Sequence, residues 1–253
     1  MLEAHDIHHS FGGVKAVDGV SFSVPPGRIV GLIGTNGAGK TTLFNVVSGY
    51  LRAGSGRVTH NGEDIQGEPP HRIARRGIVR TFQTPTGFPR MTVLENMLVF
   101  ARGQEPSVVR ALTRRREAGA ISPDLSDRAQ DILALFGLAG KRDVWVQDLG
   151  APELKMLEFA RTTMAKPHYL LLDEPAAGVN VALLDKLTEA IFRLRDEGVT
   201  FLIVDHNLGF ICRVCDFIYA MADGRVICEG DPDQVVNDPG VIDCYIGSAS
   251  GDR

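Results

Sequence analysis

A nine-residue segment, Gly34 to Thr42, has the residue types and spacing of a loop that binds phosphate. Its glycines let the backbone curl so that successive N–H groups point inward at phosphate oxygens. A following helix would add the positive end of its dipole. We expect Lys40 to reach the β- and γ-phosphates of a nucleotide and Thr41 to ligate Mg²⁺. The pattern G-x-x-x-x-G-K-[ST] covers Gly34, Thr35, Asn36, Gly37, Ala38, Gly39, Lys40, Thr41 and Thr42.

Two adjacent carboxylates, Asp173 and Glu174, follow the apolar run 169–172. Such a run is typical of a buried parallel strand, and open α/β sheets bind ligands at the carboxyl ends of their strands. We expect Asp173 to hold Mg²⁺, directly or through water, and Glu174 to orient and polarise an attacking water. Two adjacent acids after an apolar run also occur in surface turns without a catalytic role. The phosphate-loop pattern upstream favours the catalytic interpretation.

The elements that must position these residues alternate between strand and helix. Residues 28–33 are predicted to form the strand before the loop, and residues 42–49 the helix after it, ending on a glycine. The apolar run 169–172 is followed by a predicted helix, 183–195, and a predicted strand, 200–204. This alternation predicts an α/β fold with a largely parallel sheet.

The middle of the chain, residues 93–166, interrupts the alternation with helical periodicity, which is clearest at 127–136 and 153–164. We interpret it as a helical subdomain inserted into a single domain that spans residues 1–253. Nearer the N-terminus, Asn61-Gly62 is a hairpin signal after a predicted strand. Residues 231–253 are expected to form a short C-terminal tail.

Composition restricts the compartment and the partners. The chain has 253 residues, 44% of them hydrophobic, and a net charge of -4, which does not favour a nucleic-acid partner. No apolar run approaches the roughly 20 residues that span a bilayer, and the N-terminus lacks the apolar core of a signal peptide. We therefore expect a cytoplasmic protein that reaches a membrane only through other subunits.

The motifs, in their order along nearly the whole chain, resemble those of the ABC (ATP-binding cassette) ATPases. The resemblance implies a P-loop NTPase core with a mostly parallel sheet, an N-terminal antiparallel β subdomain and an inserted helical subdomain. It also implies ATP as the nucleotide and Mg²⁺ as the metal. Transmembrane permease subunits, a separate substrate-binding protein and a second ABC ATPase chain are the implied partners, at the inner face of the cell membrane.

The resemblance also assigns roles to single residues. Phe11 stands where the family places an aromatic that stacks on adenine, and Val17 is assigned to the nucleotide site as well. Gln83 matches the glutamine that senses Mg²⁺ and the attacking water. His206 matches the switch histidine that contacts the γ-phosphate. The implied catalytic residues are Glu174, His206, Lys40 and Gln83, and the implied metal ligands are Thr41, Gln83 and Asp173.

Five further segments look like the ATPases of branched-chain amino acid importers. They are residues 77–83, 91–96, 173–180, 237–242 and 245–247. Relatives in that group move hydrophobic amino acids, urea, amides or aromatic acids, so the resemblance implies uptake of branched-chain amino acids or similar small solutes. An ATPase of a lipid-type ABC exporter is the alternative within the transporter class.

One segment departs from the family pattern. In this family ATP is sandwiched between two chains, and the second chain supplies a signature, typically L-S-G-G-Q or L-x-Y-G-Q, at a helix N-terminus. The aligned residues here are Leu149, Gly150, Ala151, Pro152 and Glu153. Gly150 lacks the usual hydroxyl, Pro152 has no N–H to donate, and the carboxylate of Glu153 should repel ATP at close range.

This departure predicts that the two ATP sites of a dimer differ in activity. Each is a composite site, formed by the phosphate loop of one chain and the signature of the other. The phosphate loop, Glu174 and His206 would form a competent site with a partner's intact signature, whereas this chain's own signature would form a weak one. A homodimer would carry the defect twice, so we favour a heterodimer. Three alternatives remain: benign drift of the signature, a cassette that binds ATP with little turnover, and an ATP-dependent regulator or nucleic-acid-handling ABC protein.

Overall fold

The computed structural model describes residues 1–81, 87–101 and 123–249. Along these ranges the strands are β1 (Leu2–Phe11), β2 (Val14–Val24), β3 (Ile29–Gly34), β4 (Ser55–His60), β5 (Glu63–Asp64), β6 (Ile78–Arg80), β7 (Tyr169–Asp173), β8 (Thr200–Val204), β9 (Phe217–Ala222) and β10 (Arg225–Gly230). The helices are α1 (Lys40–Val47), α2 (Pro70–Arg75), α3 (Val93–Val99), α4 (Pro123–Leu135), α5 (Ala151–Met164), α6 (Val181–Asp196), α7 (Leu208–Val214), α8 (Pro232–Val236) and α9 (Pro239–Ala249).

The larger sheet has the strand order β10-β9-β3-β8-β7-β6. Strand β3 pairs in parallel with β8 and β9, β7 pairs in parallel with β8 and β6, and β10 closes one edge antiparallel to β9. All residues of β3, β7 and β8 are buried, as expected for parallel strands that are covered on both faces. The carboxyl ends of β3, β7 and β8 therefore lie at the same edge of the sheet.

The smaller sheet is antiparallel, with the order β2-β1-β4-β5. A tight turn at Gly12 and Gly13 joins β1 to β2, so that Phe11 pairs with Val14. The predicted hairpin at Asn61-Gly62 is confirmed, and both residues have positive φ (52° and 81°), as a type I′ turn requires. The predicted α/β fold, mostly parallel with an N-terminal antiparallel sheet, is likewise confirmed.

The chain divides into two compact units. The first comprises residues 1–80, 168–177 and 192–253, and the second comprises residues 81–167 and 178–191. The first unit contains both sheets. In the second unit the aromatic rings of Phe136 and Phe159 pack with their centroids 6.4 Å apart, which joins the end of α4 to α5. The boundaries 93–166 and 231–253 stay predictions.

The helix after the phosphate loop begins earlier than predicted, at Lys40 instead of residue 42, and ends at Val47. The reason is that the turn-forming glycines end at Gly39, whose left-handed backbone (φ 95°) leads directly into the first helical turn. Strand β8 has the bounds that the sequence predicted. Of the helices that the structure describes, none has both the length and the apolar character needed to cross a bilayer.

Candidate functional site

The phosphate loop connects β3 to α1 and is held against two other parts of the first unit. A Cβ atom at Gly39 would lie 2.2 Å from the carbonyl oxygen of Ala16, so the close approach of the two backbones requires glycine. The N–H of Ala38 donates to the oxygen of Thr35 at 3.2 Å, and the N–H of Gly224 donates to the oxygen of Ala38 at 3.2 Å. These contacts fix the curl of the loop.

The Lys40 side chain folds back into this loop. Its Nζ atom donates to the carbonyl oxygens of Gly34, at 2.7 Å, and Thr35, at 2.9 Å. Burial lowers the pKa of Lys40, and the negative charges of Glu174, Asp173 and Asp205 oppose that shift. The ammonium group of Lys40 thus interacts electrostatically with the acidic residues at the ends of β7 and β8. It can pair with phosphate oxygens instead of these carboxylates.

A cavity of about 280 Å³ opens above the loop. It is lined by Phe11, Ala16, Asn36, Gly37, Ala38, Gly39, Lys40, Thr41, Thr42 and Glu174. Phe11 is 54% exposed there, and the ring of His9 packs edge-on against it with the centroids 4.6 Å apart. An exposed aromatic face beside a phosphate loop suits a stacked base.

The assignment of Val17 to this cavity does not match its position. Val17 is only 1% exposed and belongs to the hydrophobic core, whereas its neighbour Ala16 lines the cavity. Successive side chains of a strand point to opposite faces, so only one of the two residues on β2 can face the cavity. The structure therefore corrects the assignment from Val17 to Ala16.

The two carboxylates lie at the carboxyl end of β7. Asp173 is buried, and its Oδ2 atom accepts a hydrogen bond of 2.8 Å from Arg80 Nη2. Glu174 has a left-handed backbone (φ 47°), and its N–H donates to the carbonyl oxygen of Val204 at 2.7 Å. Left-handed residues other than glycine are uncommon and cluster at functional sites. This backbone turn gives the two acids different environments, because Asp173 is buried whereas the side chain of Glu174 is 32% exposed.

Asp205 connects the loops that follow β7 and β8. It is fully buried, and its two oxygens accept from the N–H groups of Ala176, at 2.8 Å, and Asn207, at 2.9 Å. His206 follows directly and is 58% exposed, with Nδ1 3.9 Å from Glu174 Oε1. That separation exceeds a hydrogen bond, but it places the imidazole beside the carboxylate that faces the cavity.

Thr41 and Asp173 suit the chemistry of Mg²⁺. A hydroxyl and a carboxylate are hard oxygen ligands, and Mg²⁺ takes one or two carboxylates together with substrate phosphates and water. Gln83, the third implied ligand, lies outside the described residues.

The signature-like residues 149–153 surround the N-terminus of α5 in the second unit. Glu153 Oε2 accepts a hydrogen bond of 3.0 Å from the N–H of Gly150, and its Oε1 lies 3.2 Å from Lys141 Nζ. Pro152 occupies the first turn, where its missing N–H has no helical partner to lose. The helix therefore uses the carboxylate of Glu153 to cap its own N-terminus.

Comparison with known proteins gives the family. The sequence model described as "ABC transporter" matches residues 17–177, which is more than half of the chain. The chain belongs to the ABC transporter family. A second model, described as "Branched-chain amino acid ATP-binding cassette transporter", matches residues 225–250.

Relatives of this ABC ATPase match it over almost its full length. It is 40% identical over 250 residues to the probable branched-chain amino acid transport ATP-binding protein LivG of Archaeoglobus fulgidus, covering 98% of this chain and 96% of that one. It is 36% identical over 251 residues to the high-affinity branched-chain amino acid transport ATP-binding protein BraF of Pseudomonas aeruginosa, covering 98% of each.

Solved cassettes share the fold. The ADP conformation of an ATP-binding cassette of an ABC transporter superposes with a TM-score of 0.84 at 36% identity and covers 98% of both chains. A nucleotide-free cassette superposes with a TM-score of 0.83 at 36% identity, covering 98% of this chain and 99% of that one.

Sequence reasoning missed four residues of the ABC ATPase site. Arg80 and Asp205 hold the ends of β7 and β8, Ala16 lines the cavity, and Tyr245 on α9 accepts a hydrogen bond of 3.0 Å from the N–H of Gly34. Each contact joins residues far apart in the sequence, and no periodicity signals such a pair. A charged residue at the end of an apolar strand, as at Arg80, was the one available hint.

Proposed function

We propose that this chain is the ATP-hydrolysing subunit of an ABC importer for branched-chain amino acids or similar small solutes. The observation that carries the ATPase assignment is that Lys40, the phosphate loop and Glu174 line one cavity. The transport assignment is supported by relatives that are named as branched-chain amino acid transport proteins and match at 35–40% identity over 98% of this chain.

Four residues in and beside the cavity have distinct roles in the proposed reaction. Lys40 releases the loop carbonyls and pairs with the β- and γ-phosphate oxygens, while Phe11 stacks on adenine. Glu174 orients the attacking water in line with the γ-phosphate and accepts its proton. His206, beside Glu174, contacts the γ-phosphate, which couples the loop after β8 to the state of the nucleotide.

Thr41 and Asp173 would hold Mg²⁺, with Gln83 as a further ligand. Once bound, Mg²⁺ would supply positive charge that offsets the negative charge developing on the phosphates during hydrolysis. The burial of Asp173 limits how much water surrounds its carboxylate, which strengthens its attraction for a cation.

A second cassette must complete the site, and we favour a different chain over a second copy. In this chain the carboxylate of Glu153 already accepts the N–H of Gly150 and pairs with Lys141. An anion bound at this helix N-terminus would meet that carboxylate at close range. Loss of phosphate donors of this kind costs about 2–4 kcal/mol of transition-state stabilisation, so a dimer of two identical chains would contain two weak sites.

The remaining partners follow from the transport assignment. Permease subunits would place this chain on the inner face of the cell membrane, and a separate binding protein would deliver the solute. Two ATP molecules would close the cassette dimer and hydrolysis would reopen it, so that the difference in binding energy between the two states drives transport.

The same capped helix supports a second candidate, a cassette that binds ATP and hardly turns it over. Steady-state ATPase activity of the purified chain, alone and mixed with a candidate partner cassette, separates the two. The proposal predicts that activity rises on mixing and is lost with Glu174→Gln. If the mixture stays inactive although both chains bind ATP, the low-turnover cassette is correct.

A further inference from the structure

The guanidinium group of Arg80 lies between the end of α1 and the end of β7. Its Nη2 atom donates to Asp173 Oδ2 at 2.8 Å. Its Nη1 atom donates to Asn45 Oδ1 at 2.6 Å and to Ser48 Oγ at 2.8 Å. One side chain thus ties the carboxylate on β7 to Asn45, in the last turn of the phosphate-loop helix, and to Ser48, which caps the end of that helix.

This ion pair is shielded from water. The side chain of Arg80 is 10% exposed and that of Asp173 is 2% exposed. The guanidinium carbon also lies 4.6 Å from the centroid of the Phe44 ring, within the range of a cation–π contact. A buried ion pair repays its desolvation only when the geometry is good and further hydrogen bonds are made, and Arg80 meets both conditions.

The planar guanidinium group of arginine can make these three hydrogen bonds at once, whereas a lysine side chain cannot. The two Nη atoms reach opposite sides, one toward α1 and one toward β7, in a fixed plane. A lysine would retain the positive charge, but its single ammonium group could not hold the oxygens of Asn45, Ser48 and Asp173 in the same arrangement.

We propose that Arg80 is a positioning residue for metal binding, which rests on the proposed role of Asp173 and Thr41 as Mg²⁺ ligands. Thr41 stands in the first turn of α1, and Asn45 and Ser48 stand at its end. Since the helix is rigid, Arg80 fixes Asp173 relative to Thr41. Hydrogen-bond partners of metal ligands commonly contribute about 10–100-fold to metal affinity.

The test compares metal binding with nucleotide binding in the same protein. Mn²⁺ binding to the ADP-loaded full chain is measured by the EPR signal of free Mn²⁺, and ADP binding is measured separately in EDTA by calorimetry. Arg80→Lys is expected to weaken Mn²⁺ binding about tenfold while ADP affinity in EDTA stays within about twofold. A purely structural role would lower both affinities together, and that result would overturn the proposal.

Two variants serve as controls. Arg76→Lys breaks another arginine–carboxylate pair of the same unit, with Glu63 and Glu68, and should leave both affinities unchanged. Asp173→Asn should weaken Mn²⁺ binding at least as much as Arg80→Lys. If Asp173→Asn has no effect, the proposed role of Asp173 is wrong; if it weakens Mn²⁺ binding and Arg80→Lys does not, only the role of Arg80 is wrong.

Asn45→Ala provides a milder variant in case Arg80→Lys fails to fold. It removes one anchor of the guanidinium on α1 and leaves both charges of the ion pair in place. We expect roughly threefold weaker Mn²⁺ binding, in proportion to one lost hydrogen bond, with ADP affinity in EDTA unchanged. Unchanged Mn²⁺ binding in this variant would contradict the positioning role.

Discussion

At the N-terminus of α1, the backbone is held by residues that are far away in the sequence. Gly39 passes against Ala16, Ala38 accepts from Gly224, and the N–H of Gly34 donates to Tyr245. At the N-terminus of α5 the partners are local, because Glu153 accepts from Gly150 and pairs with Lys141.

The difference concerns what each helix can bind. The first turn of α1 contains no acidic residue, and its positive end faces a cavity that also holds Lys40. The positive end of α5 is offset by the carboxylate of Glu153, which is its own cap. Both helix termini are stable, but only that of α1 is arranged for an anion. We therefore propose that the phosphate loop forms the strong half of one composite site and the α5 terminus the weak half of the other.

The largest effect should follow from Glu174→Gln. The amide keeps the size of the side chain but cannot accept the proton of the attacking water, so we expect ATPase activity, measured in the presence of a partner cassette, to fall by about 100-fold or more. ATP binding should persist. Glu189→Gln on the exposed face of α6 is the matched control and should retain full activity. Substantial turnover in Glu174→Gln would remove this carboxylate from the mechanism.

Restoring the signature should have the next largest effect. Gly150→Ser, Ala151→Gly, Pro152→Gly and Glu153→Gln together recreate L-S-G-G-Q, and a Cβ atom at Gly150 would have no neighbour closer than 3.8 Å. We expect the chain alone to gain about 10–100-fold in ATPase activity, because a phosphate donor returns and a repelling charge is removed. No gain would mean that the native segment already serves as a signature.

Tyr245→Phe tests the long-range support of the phosphate loop. It leaves the N–H of Gly34 without its acceptor, so the free energy of unfolding should fall by about 1–3 kcal/mol. Tyr219→Phe removes an acceptor of the same kind from the N–H of Ser23, away from the loop. Both variants should lower stability in urea unfolding, but only Tyr245→Phe should weaken ADP binding. Equal ADP affinity in the two variants would contradict the supporting role of Tyr245.

The smallest effect is expected from Glu153→Gln alone on stability. Glutamine can still accept the N–H of Gly150, so the cap persists and only the exposed pair with Lys141 is lost. The free energy of unfolding should change by less than about 0.5 kcal/mol. Glu153→Ala, which removes the cap as well, should cost about 1 kcal/mol. A large loss in Glu153→Gln would show that the charge itself stabilises α5.

The same difference between local and distant contacts limited what the sequence could predict. The phosphate loop, the two acids at the carboxyl end of β7 and the bounds of β8 follow from short patterns, and all were predicted. Two other features depend on how separate strands and helices pack together, so no short sequence pattern predicts them. They are the burial of the Val17 side chain in the core and the contact of Tyr245 with Gly34. The site could be located from sequence, but its supports could not.

If this chain has a strong phosphate loop and a weak signature, its loop should hydrolyse ATP rapidly only when it faces an intact signature. The most direct measurement mixes the wild-type chain with a chain that carries both Glu174→Gln and the restored signature. Only the wild-type loop facing the restored signature could hydrolyse ATP well. We expect about tenfold more activity per wild-type chain in the mixture than in the wild type alone. Equal activity would contradict it.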